Sequence, residues 1–197
     1  QLGHPESLGD LAVRCADAVD AKASNPKAAH LFARILVDRI EDQATLQKAI
    51  DALPQEQRAR LAILYIRAIS LLQDHKADQA VKVLKTIIEN KSAPAAARIA
   101  LARLLIESKD YPQVRVILEP LEALQLASVV SLQATALAHT DDVAKAIALL
   151  DQAIALQDED VELIVTKAKL QLDFLDIVTA ERTLLDALVT RPAAEPI

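Results

Sequence analysis

Glycine is nearly missing from this 197-residue chain: only Gly3 and Gly9 occur, both near the start. Compact β-proteins need glycine in turns with φ > 0, and phosphate-cradling loops need it where backbone approaches a ligand closely. The scarcity argues against both classes and for helices joined by polar, non-glycine turns. Tryptophan and methionine are absent, and two Tyr and two Phe bring the aromatic content to 2%. The 52% hydrophobic fraction is therefore carried by Ala, Leu, Ile and Val, and Ala and Leu are strong helix formers. So large an apolar fraction can bury a core and excludes a disordered chain.

Other absences narrow the function. Basic charge is not in excess: the net charge is −6, and no basic stripe of the kind that binds nucleic acid is visible. A membrane-spanning helix needs roughly 18 apolar residues in a row, and the apolar runs here are broken well before that. A signal-peptide pattern is absent. A soluble chain of the cytoplasm or periplasm is expected. Cys15 is the single cysteine and cannot close an intrachain disulfide. The lack of Met even at position 1 leads to the expectation of a processed or excised chain.

What is present is a repeat. Ala80, Val114, Ala146 and Ala180 recur at steps of 34, 32 and 34 residues. Four and seven residues after each stand further apolar or small residues: Leu84 and Ile87, Leu118 and Leu121, Leu150 and Ala153, Leu184 and Ala187. Such offsets place them on one helix face. A step of 34 back from Ala80 reaches Leu46, Ile50 and Leu53, and a further step of 32 reaches Arg14, Ala18 and Ala21. Twelve residues before the four leading positions stand Ala68, Ala102, Ala134 and Ala168. A small residue at one fixed point lets two helices cross closely.

The pattern resembles the tetratricopeptide repeat family. That family pairs two helices in about 34 residues, with a small residue in the first helix, an aromatic near the turn, alanines in the second and a closing proline. Ala102, Leu105, Tyr111, Val114, Leu118 and Leu121 carry the resemblance, as do Ala168, Ala180, Leu184, Ala187 and Pro192. It spans roughly Leu8 to Pro192. The turn glycine is missing, and related helical solenoids share much of the pattern. The resemblance implies an all-α, right-handed superhelical solenoid of antiparallel helix pairs, about five repeats plus a leading unpaired helix.

A single repeat domain over 1–192 is expected, with 193–197 as tail or linker. The leading helix covers 8–23. The pairs are 26–40 with 42–53, 55–73 with 77–90, 94–108 with 112–124, 127–139 with 141–156, and 159–173 with 176–190. Pro26 and Pro94 suit first-turn positions, and Asp141, Asp158 and Asp176 suit helix-start acceptors. The terminal helices are uncapped in this scheme, so an exposed apolar end could drive homo-oligomerisation.

Motifs that carry chemistry are missing. His4, His30, His75 and His139 show no metal-ligand spacing and are expected in plain surface roles. Cys15 is expected to fill a small core space. The acidic runs at 141–142 and 158–160 lack the glycine and alternation of a calcium loop and suit helix N-termini. Phosphate loops, hydrolase elbows and metalloprotease motifs are absent. No enzyme activity, cofactor or metal is expected.

The tetratricopeptide resemblance implies that ligands lie on the concave face formed by the first helices. One face of these would present Leu31, Ile35 and Asp38, then Tyr65, Ile69 and Gln73, then Ile99, Arg103 and Glu107, then Ser131, Thr135 and His139, then Val165, Lys169 and Asp173. Tyr65 is the strongest candidate contact, because tyrosine is enriched at binding hot spots. Arg103 and Lys169 would grip acidic groups. With Leu31, Ile35, Tyr65 and Ile69 at the positions where chaperone-tail clamps carry polar and basic residues, a peptide or partner helix docking through apolar and mixed contacts is expected instead. The expected function is a non-catalytic interaction scaffold of a bacterial assembly, secretion or chaperone system. The alternatives are a self-assembling structural module and a substrate-positioning domain of a multidomain enzyme.

Overall fold

The computed structural model describes residues 7–140, 142–157 and 160–190. Those residues form helices and no strand. The chain divides into two compact units, residues 1–104 and 105–197, where the sequence suggests one uninterrupted array. Unit 1 holds α1 (Leu8–Ala21), α2 (Pro26–Asp38), α3 (Gln43–Asp51), α4 (Gln55–Arg58), α5 (Leu61–Gln73), α6 (Ala77–Ile88) and most of α7 (Ala95–Glu107). Unit 2 holds α8 (Tyr111–Leu118), a 3-10 segment (Glu119–Leu124), α9 (Ala127–Thr140), α10 (Val143–Leu156), α11 (Val161–Phe174) and α12 (Ile177–Thr190).

The small-residue register is realised in the core. Ala68, Ala102 and Ala134 are fully buried, as are Ala80, Val114 and Ala146 and the leucines four residues on, Leu84, Leu118 and Leu150. The core of unit 2 shows the consequence: Ala134 and Ala138 of α9, Ala146 and Leu150 of α10, and Leu163 and Leu170 of α11 pack together. Gln171 breaks the apolar rule in the sequence, yet it is buried. Thr183 of α12 donates to its Oε1 at 2.7 Å, which offsets the cost of burying an amide.

Two features depart from the sequence scheme. In α1 the buried face is Gly9, Ala12, Ala16 and Val19, not Arg14, Ala18 and Ala21. Ala12, Ala16 and Val19 keep the +4 and +7 offsets at a 34-residue step from Leu46, so the 32-residue step there is corrected. No first helix precedes it among the described residues, and it packs on α2, α3 and α5. In α2 the buried small residue is Ala33, one position before the one the spacing selects, which shifts the exposed face of that helix by about 100°.

The remaining 32-residue step has a physical account. Two residues are lost between α8 and α9, where the chain tightens into the six-residue 3-10 segment. A 3-10 turn rises about 2.0 Å per residue against about 1.5 Å in an α-helix, so six residues recover the length of two. Pro120, which has no N–H to continue the α ladder, sits within it.

The helix expected over 55–73 is split. Arg60 is extended (φ −62°, ψ 134°) between α4 and α5, and its guanidinium reaches back to Asp17 at 2.8 Å and Asp20 at 2.6 Å on α1. Buried Gln43 closes the end of α2: its Nε2 donates to the carbonyls of Val37 and Ile40, at 2.9 and 2.6 Å. Its Oε1 accepts from Ser70 Oγ of α5 at 2.8 Å. Helix starts are capped by Asp142, Asp160 and Asp176; Asp141 and Asp158, two of the expected caps, lie outside the described residues.

Candidate partner-binding face

In unit 1 the first helices are α2, α5 and α7, and counting from their buried alanines aligns three rows of side chains. Three residues before the alanine stand His30, Tyr65 and Ile99. One residue after it stand Arg34, Ile69 and Arg103. Five after it stand Asp38, Gln73 and Glu107, the last of which falls in unit 2. Arg34 and Asp38 are half-exposed and paired at 3.0 Å.

The row nearest the core is a floor. Tyr65 is fully buried and Ile99 nearly so. Tyr65 Oη and His30 Nδ1 share a hydrogen bond of 2.8 Å, whose direction follows the imidazole tautomer. Burial, then the charges of Arg103 and Arg34, hold the His30 imidazole below its ordinary value, against a smaller opposing effect of Asp38. Burial also pushes the Tyr65 hydroxyl above its ordinary range, with Arg103 acting in the opposite direction. Both groups are therefore uncharged at neutral pH, beneath a rim on which Arg34 and Arg103 are exposed.

Several sequence expectations change here. Tyr65 is not a surface contact: at 0% exposure its ring cannot touch a partner, and it acts by fixing His30. Ile69 is buried too. His30 has no plain surface role. Leu31 and Ile35 are exposed, at 58% and 41%, but one residue out of the aligned rows. The equivalents of these two in α5 are Ile66 and Ser70, both buried, so Leu31 and Ile35 flank the face at the outer side of α2. The row that holds Arg103 has Arg34 in α2, not Ile35.

Unit 2 carries the other expected residues. Thr135 is half-buried and donates to the carbonyl of Ser131 at 2.8 Å, while Lys169, Asp173 and Glu107 are exposed. His139 stacks flat on Tyr111, centroids 4.4 Å apart, and meets Phe174 edge-on at 4.9 Å. Lys169 and Asp173 repeat the i,i+4 spacing of Arg34 and Asp38. A surface recess of about 510 Å³ is lined by Pro112, Arg115, Val116, Glu119, Glu122 and Thr140, none of them an expected contact. Cys15 is half-buried and not disulfide-bonded. Among the described residues no cluster of three or more metal-ligating side chains occurs, and no helix is long and apolar enough to cross a membrane.

A family model described as tetratricopeptide repeat matches residues 71–134. That match covers about a third of the chain, 64 of its 197 residues. Among solved structures it is similar to "MamA 41-end from Desulfovibrio magneticus RS-1", with a TM-score of 0.56 and 16% identity, over 96% of this chain and 100% of that one. It is also similar to "MamA RS-1 ArsTM double mutant", with a TM-score of 0.55 and 17% identity, over 93% of this chain and 96% of that one. At these identities the likeness is one of fold: an all-helical, tetratricopeptide-like array of antiparallel pairs. No curated protein matches the sequence.

Proposed function

We propose that the protein is a non-catalytic scaffold that docks an apolar peptide or partner helix bearing a carboxylate on the α2/α5/α7 face of unit 1. The observation that carries this reading is the geometry of that face, where exposed Arg34 and Arg103 stand one residue after the buried alanines beside half-buried His30. Arg103 and Arg34 both act on half-buried His30, and Asp38 offsets them only in part. A carboxylate entering between the two arginines gains charge-assisted hydrogen bonds, in a setting where the solvent is already partly excluded. Leu31 and Ile35 at the outer side of α2 supply apolar area next to it. The fold supports a peptide laid across successive first helices through such mixed contacts. The Ala-, Leu- and Gln-rich style of the chain supports a place in a bacterial assembly, secretion or chaperone system.

Selection of random peptides displayed against the 197-residue chain tests the reading. The expected peptides combine Asp or Glu with Leu, Ile or Val, and bind Arg34→Glu/Arg103→Glu at least about tenfold more weakly, the loss of one charged hydrogen bond. Peptides that lack acidic residues, or that bind the variant equally well, would overturn it.

A further inference from the structure

One acid on the unit 1 face stands where helix stability disfavours it. Asp38 is the last residue of α2, at the end of the helix dipole that is unfavourable for an anion. Its partner Arg34 lies one turn back, and a base placed N-terminal to its acid is the weaker order of an i,i+4 pair. With the two side chains 49% and 42% exposed, such a pair adds little to stability. The arrangement nonetheless recurs. One and five residues after the buried alanine, α7 has Arg103 and Glu107, and α11 has Lys169 and Asp173. Both acids again lie in the last turn of their helices. Where the first of these positions is uncharged, as with Ile69 in α5 and Thr135 in α9, the second is Gln73 or His139. The acids therefore accompany the bases and not the helix ends.

The contact itself shows what Asp38 does to Arg34. Arg34 Nε donates to Asp38 Oδ2 at 3.2 Å, and Nη2 donates to Oδ1 at 3.2 Å and to Oδ2 at 3.0 Å. Those two nitrogens form an edge of the guanidinium that holds a carboxylate through two parallel bonds. Asp38 thus fills, from within the chain, the place a ligand carboxylate would take on Arg34. We propose that Asp38 is a built-in competitor of the docked carboxylate, holding Arg34 in the free protein and releasing it when a peptide binds. This role presupposes the peptide docking proposed above and supplies its regulation. Because the pair is exposed, the exchange costs little. Asp38 sets a threshold for binding and does not close the face. Its charge also opposes an incoming anion, so it weakens docking even while it stays in place.

Peptide display on the wild-type chain and on Asp38→Asn, followed by calorimetric titration of a selected acidic, Leu-containing peptide at low salt, tests it. Asp38→Asn keeps the side-chain size and removes the charge. It is expected to bind the peptide about two- to fivefold more tightly than the wild type, the worth of an exposed ion pair. In an Arg34→Gln background the same substitution is expected to change affinity by much less, because the pair is already broken. The urea midpoint of Asp38→Asn is expected to equal or exceed that of the wild type, since the helix end loses an unfavourable charge. Asp38→Asn that binds no better than the wild type, or that gains as much without Arg34 as with it, would overturn the proposal. The docking face would survive that result if Arg34→Glu/Arg103→Glu still loses the peptide. Failure of both chains to select acidic peptides would overturn the competitor and the docking face together.

Discussion

At the scale of single residues, the His30–Tyr65 pair decides how the candidate face works. Tyr65→Phe removes the hydroxyl from a 2.8 Å hydrogen bond and is expected to cost about 1–1.5 kcal/mol in urea denaturation. The same pair makes stability depend on pH. The folded-state value of His30 lies below its ordinary 6.5, so between the two values the unfolded chain binds the proton more readily than the fold does. Stability is then flat above about pH 7 and falls as pH drops through that window. Denaturation at pH 7.5 and 5.5 checks this, with a smaller fall expected for His30→Gln than for wild type. A carboxylate bound beside His30 favours the imidazolium, so peptide affinity is expected to rise over the same interval. Neither residue's role was legible in the sequence. Tyrosine enrichment at interfaces pointed outward, whereas the position three residues before the core alanine points inward. A count from Ala33 rather than Arg34 would have set His30 beside Tyr65.

At the scale of elements, the short turns between paired helices show why a nearly glycine-free chain still makes tight reversals. His75 and Lys109 adopt the left-handed conformation, with φ of 56° and 61°. Each ends its helix with the paired bonds of a Schellman turn: Lys76 N–H to Leu71 O at 2.8 Å with His75 N–H to Leu72 O at 3.1 Å, and Asp110 N–H to Leu105 O at 2.8 Å with Lys109 N–H to Ile106 O at 3.0 Å. The turn glycine of the family is missing, but its geometry is kept at some cost in strain. His75→Gly and Lys109→Gly are expected to stabilise the fold by about 0.5–1 kcal/mol each, read as a rise in urea midpoint. Gln43 works in the opposite sense. Gln43→Ala would take one donor from the Val37 and Ile40 carbonyls and the acceptor from the Ser70 hydroxyl, which keeps its bond from Gln47 at 2.9 Å, and a loss of about 1–2 kcal/mol is expected. The 34-residue recurrence made the helices and their buried alanines readable, because one small residue at a crossing point constrains the sequence strongly. The Gln43–Ser70 network joins residues 27 apart on different helices, and no period announces it.

For the molecule taken whole, chemistry follows from which surfaces the array leaves open. Buried positions recur and were legible; exposed ones are set by what each helix has for a neighbour. Leu31 and Ile35 are open while Ile66 and Ser70 in the next first helix are covered, although all four occupy comparable positions. Sequence spacing cannot separate those cases, because burial on that side depends on an adjacent helix and not on the helix itself. The same contrast appears in the second helices, where Leu150 is buried and its counterpart Leu184 is 43% exposed.

Photo-crosslinking of an acidic, Leu-containing display-selected peptide tests the central claim most directly. A photoreactive residue is placed in turn at Gln73, on the rim of the unit 1 face, and at Val116, in the recess of unit 2. The account predicts a crosslink from Gln73 that free peptide competes away and Arg34→Glu/Arg103→Glu abolishes, with none from Val116. A crosslink from Val116 alone, or one from Gln73 that survives the charge reversal, would contradict it.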